Sequence, residues 1–131
     1  MKYLSGEHQK NHEKLKAEFS QFNSNDKEAI TLLYIVSAVP ELEEIAKKSR
    51  DEDGYFQVRL FEHQAQDLGG ADQALASLAV AIFSKDSLPL SMFATLNDEQ
   101  LRIALKAKEY CYQDAASIYD IKNPDMLLYD N

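Results

Sequence analysis

The chain has 131 residues, 45% hydrophobic and 27% charged, with four Gly and three Pro, a composition that fits one globular domain and excludes a disordered or fibrous chain. The net charge is −8, and residues 1–50 balance eight acids with eight bases while residues 51–131 hold fourteen acids against six bases. Such an acidic second part repels phosphate backbones and disfavours direct nucleic-acid binding, leaving solubility or a basic partner as the roles of the charge.

No apolar run approaches the roughly 20 residues that cross a bilayer, and the first residues lack the apolar core of a signal peptide, so a cytoplasmic protein without membrane contact is expected. A single cysteine, Cys111, excludes an internal disulfide and a Cys-only zinc site within one chain.

Ser5 ahead of Gly6, Glu7 and His8 predicts a helix start, with the hydroxyl accepting a free backbone N–H and Glu7 near the positive end of the dipole. The helix is expected to run to about residue 22, with His8, His12, Leu15, Phe19 and Phe22 on one stripe. A turn over 23–26 precedes a second helix, with Asn25 as its cap and Glu28 reaching back. Ala29, Leu32, Leu33 and Val36 mark the inward face of that helix, and Ile30, Tyr34 and Ile35 widen it. Pro40 ends the segment and opens a third helix reaching about residue 48, with acids early and Lys47, Lys48 and Arg50 late, as the dipole prefers.

Asp51, Glu52, Asp53 and Gly54 form a polar turn. Residues 55–60 have strand-like composition, but no second convincing strand exists to pair with them, and Val58, Phe61 and Ala65 share a helical face. A helix over about 57–68 is predicted, ended by Gly69 and Gly70. A charge-free run over 73–84 follows, and residues 71–84 read as a central apolar helix that neighbours must surround. After a connector over 88–93, Asn97 and Gln100 repeat the cap pattern before a long last helix, whose buried stripe is read as Leu101, Ala104, Leu105, Cys111, Tyr112 and Ala115. Residues 118–131 are expected to form a C-terminal arm with a turn at Asn123 and Pro124. The expected fold is all-α: one compact bundle of about five to six helices over 1–131, around a central helix at about 71–84.

The stretches Tyr3 to His8, Glu28-Ala29, Leu33-Tyr34-Ile35, Leu78-Ala79, Ile82-Phe83, Phe93 to Asn97 and Ala104 to Ala107 resemble a family of small uncharacterised proteins of Gram-positive bacteria and their prophages. The likeness covers roughly residues 3–112 and rests on core and capping positions. The family typically has a Trp before the central helix; this chain has none. The resemblance implies an all-helical domain with no catalytic residues to carry over, and a prophage or mobile-element setting would favour an accessory role in protein binding.

The sharpest chemical candidate is the pair His8 and His12, because imidazoles at i and i+4 share a helical face and can chelate a divalent cation. A third ligand would be His63, with Glu62 beside it, giving a metal-binding protein or metal-dependent enzyme as one alternative. The glutamate of H-E-x-x-H is missing, so metalloprotease chemistry is not supported, and buried, hydrogen-bonded histidines are the simpler reading.

With Gly54 at position six of a calcium loop, position twelve is Leu60 where a bidentate Glu is required. Gly69-Gly70 lacks the strand before it and the Lys after it that a phosphate loop needs, and Glu43 and Glu44 point about 100° apart on their helix. Cys111 has no His near it in sequence and reads as a small hydrophobe.

No catalytic or cofactor residue is assigned. Tyr119, Met126, Leu127, Leu128 and Tyr129 supply amphipathic rings and flexible apolar groups that suit a protein interface, or else seal the chain's own core. The leading expectation is a non-enzymatic domain that binds another protein, with a homodimer among the candidates. An acidic mimic of nucleic acid that occupies a basic groove is a further alternative.

Overall fold

The computed structural model describes residues 3–19, 26–85 and 91–111, with the side chains of Met92, Phe93, Tyr110 and Cys111 set aside. The chain order is α1 (Gly6–Glu18), α2 (Lys27–Val36), α3 (Pro40–Lys48), α4 (Val58–Ala65), α5 (Gly70–Ser84), the short α6 (Ser91–Ala94) and α7 (Asp98–Cys111). Among the described residues the one β feature is an isolated antiparallel bridge between Arg50 and Phe56, so the fold is an all-α bundle. No described helix is long and apolar enough to cross a membrane.

Local chemistry sets the helix starts. Ser5 Oγ accepts from the His8 N–H at 3.1 Å, and α1 ends at Glu18, earlier than its stripe suggests, because Phe19 is already extended. Asp26 rather than Asn25 caps α2, its Oδ1 accepting from the Ala29 N–H at 3.1 Å. Pro40 opens α3, where its missing N–H costs nothing. The helix predicted over 57–68 is regular from Val58 to Ala65 and relaxes into tight turns after it.

Asn97 Oδ1 receives the Gln100 N–H at 2.9 Å. The Gln100 side chain does not complete the box; its Nε2 donates to Asp72 Oδ1 at 2.6 Å and ties α7 to the first turn of α5.

The polar turn closes through one carboxylate. Asp51 Oδ1 accepts from the N–H groups of Asp53 and Tyr55, and Gln57 Nε2 donates to Oδ2 at 3.0 Å. Asp51 is thereby committed to holding the α3–α4 link.

In α5, Leu75, Ala76 and Leu78 to Ile82 are buried, and the helix packs most extensively against α2. The enclosure of α2 is more complete still, because every residue from Ala29 to Val36 is buried. The centre of the bundle is therefore the α2–α5 pair, with α7 packed against both helices and α4 against α5. Phe56 joins the link to this core, its ring meeting those of Phe19, Phe61 and Phe83 at centroid distances of 5.5, 5.5 and 5.9 Å.

The stripe on α7 differs from the predicted one. Ile103, Ala104 and Ala107 face the core, Leu101 is half-buried and Leu105 is 54% exposed. Helical spacing fixes which residues share a face, but Ala104 is compatible with stripes on either side of it, and packing against α2 selects the side bearing Ile103 and Ala107.

Candidate functional site

The predicted histidine stripe holds: His8, His12, Leu15 and Phe19 are all buried. Because His8 and His12 lie four residues apart on α1, their rings reach two carbonyls four residues apart on α2. His8 Nε2 lies 2.8 Å from the Tyr34 oxygen and His12 Nε2 lies 3.0 Å from the Ile30 oxygen.

These partners assign the protons. A carbonyl oxygen can only accept, so Nε2 carries the hydrogen in both rings. The Leu4 N–H then donates to His8 Nδ1 at 3.2 Å, and the Tyr3 hydroxyl donates to His12 Nδ1 at 2.8 Å. The Tyr34 carbonyl uses its second lone pair for Ser37 Oγ, at 3.1 Å.

Tyr3 and Tyr34 complete the cluster. Their rings stack at 5.7 Å and 20°, while Tyr34 meets His8 edge-on at 4.5 Å and 74°. Such arrangements suit the opposed charges of ring face and edge. Burial pushes the His8 pKa below the usual histidine range, partly offset by its bond to Tyr34. It lowers His12 to about 4, with Lys16 and His8 adding to the effect against the bond to Ile30. Burial, assisted by Glu109, raises Tyr34, which stays protonated.

Both rings are therefore neutral at pH 7, with all four nitrogens engaged by the protein. A metal ligand must offer a nitrogen lone pair and a general base must accept a substrate proton; here each lone pair already receives an N–H or O–H. His63 is exposed on α4, and its neighbour Glu62 pairs with Arg59 at 2.7 Å. Among the described residues no three His, Cys, Asp or Glu side chains form a group that could hold a metal ion.

Beside the cluster, a cavity of about 310 Å³ opens between the start of α1, the α2–α3 link and α7, lined on its polar side by Glu7, His8, Asn11, Ser37, Glu99 and Arg102. A second, shallower groove of about 380 Å³ runs along the outer side of α7 between Asp98, Leu101, Arg102, Leu105, Lys106 and Glu109. The predicted contact residues Tyr119, Met126, Leu127, Leu128 and Tyr129 lie outside the described residues, as do Phe22, Tyr112 and Ala115.

Reading the residues alone found the two histidines and missed their partners. Tyr3 precedes the helix and Tyr34 reads as an ordinary core position, so no local spacing links either to His8 or His12. Comparison with family models, curated proteins and solved structures returns no match.

Proposed function

We propose that this chain is a non-enzymatic helical domain that acts by binding protein, with the outer side of α7 as its docking surface and a second copy of the chain as the occupant. The observation that carries it is Leu105, 54% exposed beside half-buried Leu101 on a helix whose opposite side is packed into the core. An apolar strip rimmed by charge has the composition of a protein interface.

The rim runs acid, base, base, acid through Asp98, Arg102, Lys106 and Glu109. An antiparallel copy, offset slightly toward the C-terminus of α7, sets Arg102 against Glu109 twice about a two-fold axis and brings the two Leu105 side chains together. Self-complementarity of this kind is what a two-fold interface requires. A cytoplasmic setting and a contribution from Tyr119 and Met126 to Tyr129 belong to the same proposal.

Light scattering on the full chain across a concentration series tests it. A dimeric mass that becomes monomeric in Leu105→Asp, with helical circular dichroism unchanged, is the expected result. A wild-type chain that stays monomeric at the highest concentration, or a dimer indifferent to Leu105→Asp, would overturn the α7 surface. Truncation after Asn123 separates the arm from the helix: dimerisation lost there and retained in Leu105→Asp would transfer the interface to the arm.

A further inference from the structure

The His8–His12 cluster does more than fill space, because the two hydrogen bonds accepted at Nδ1, from the Leu4 N–H and the Tyr3 hydroxyl, require neutral rings. We propose that it is a proton-sensitive clasp: two neutral imidazoles hold the first turns of α1 against α2, and acidification releases residues 3–12 while the rest of the bundle stays folded.

The hydrogen-bond geometry carries the proposal. Both Nε2–H groups donate to carbonyls of α2, so a further proton must go to Nδ1. On His8 that atom faces the Leu4 N–H at 3.2 Å, a donor that cannot reverse, so a protonated ring sets two donors against each other. On His12 it faces the Tyr3 hydroxyl, which can rotate to accept but then gives up its role as donor to the ring. The closed clasp therefore resists the proton on His8 by this donor conflict and the proton on His12 by burial, and the open one accepts them freely.

Among the described residues no carboxylate bonds to either ring. From α1 itself Lys16 disfavours a cation on His12, and each histidine disfavours a charge on the other. From α2 the facing titratable group is Tyr34, and from α7 Glu99 and Arg102 share with Glu7 the cavity next to His8. The His8 nitrogens point at the Tyr34 carbonyl and the Leu4 amide, not at Glu7 or Glu99. Burial depresses both histidines in the closed form, in agreement with the donor conflict.

Release stays local because the other end of α1 is anchored differently. Leu15 and Phe19 lie in the apolar core, and Arg50 Nη1 donates to the Glu18 carbonyl at 3.1 Å. Opening at residues 3–12 bares the side of α2 that carries Tyr34 and enlarges the adjoining cavity.

Amide exchange of the full chain, followed by NMR and corrected for the intrinsic pH dependence, tests this. From pH 6.5 to 5 the protection of the amides of Gln9 to His12 should fall up to tenfold per pH unit for each histidine that titrates, while α5 amides keep theirs. In His8→Gln/His12→Gln the α1 amides should no longer respond to pH across that range. Equal loss in α1 and α5, constant protection of α1, or a response that persists in the double variant would each overturn the clasp. If the double variant does not fold, ring titration in the wild type decides: a midpoint coinciding with the α1 transition supports the proposal, and a separate midpoint refutes it.

Discussion

His8 donates its Nε2–H to the carbonyl of Tyr34 at 2.8 Å while its ring meets the Tyr34 ring edge-on at 4.5 Å. One residue of α2 thus fixes the position and the tautomer of the histidine, and the carbonyl hydrogen bond recurs one turn away between His12 and Ile30. The pair works as part of the helix interface.

Stability should depend on pH through this pair. His12 has a folded pKa of about 4 against an ordinary 6.5, so the neutral ring's contribution is complete above pH 6.5 and falls as pH drops toward 4, where it levels off. At about 1.4 kcal/mol per pH unit, His12 alone accounts for roughly 3 kcal/mol over that interval. Urea unfolding at pH 7.5, 6.5, 5.5 and 4.5 measures it, with His12→Gln flattening the slope. A wild-type stability constant from pH 6.5 to 5 would contradict the assignment.

Tyr3→Phe removes the hydroxyl that donates to His12 Nδ1 and strands a buried acceptor. The expected loss is about 1–2 kcal/mol, seen as a lower urea midpoint with an unchanged m-value. Loss confined to the hydroxyl, with Tyr3→Leu costing more because the stack on Tyr34 goes too, would complete the pattern.

Much of the fold was legible because helix starts are written in short-range chemistry. Ser5, Pro40 and Asn97 act where their side chains or missing donor predict. Less legible was the choice between adjacent residues able to do the same job: Asn25 and Asp26 are both good caps, and the chain uses Asp26. The face of α7 was misread because one apolar residue, Ala104, serves two stripes and tertiary packing picks between them. The site followed the same division. The i, i+4 histidines were visible, but their partners Tyr3, Ile30 and Tyr34 come together through the packing of α1 on α2, which no local spacing encodes.

That correction to α7 gives a contrast between two leucines. Leu33 is fully buried on α2, and Leu33→Ala should cost about 2–5 kcal/mol. Leu105→Ala, measured at concentrations where the chain is monomeric, should change stability by less than about 0.5 kcal/mol. Equal losses at the two positions would contradict the observed facing of α7.

At the end of α5, Lys85 adopts φ of 60° and its N–H returns to the carbonyls of Ala81 and Ile82. A side chain is strained in this left-handed cap, and glycine is not. Lys85→Gly should therefore stabilise the protein by about 0.5–1 kcal/mol, with a higher thermal midpoint. An unchanged or lower midpoint would argue against the left-handed cap.

The most direct measurement is the protonation pattern of the histidine rings, read from two-bond proton–nitrogen correlations in protein labelled with nitrogen-15 at pH 7. Neutral Nε2–H tautomers are predicted for both His8 and His12, with no imidazolium signal from either. An Nδ1–H tautomer, or a charged ring at that pH, would free a nitrogen or a charge for chemistry and contradict the structural role assigned to the pair.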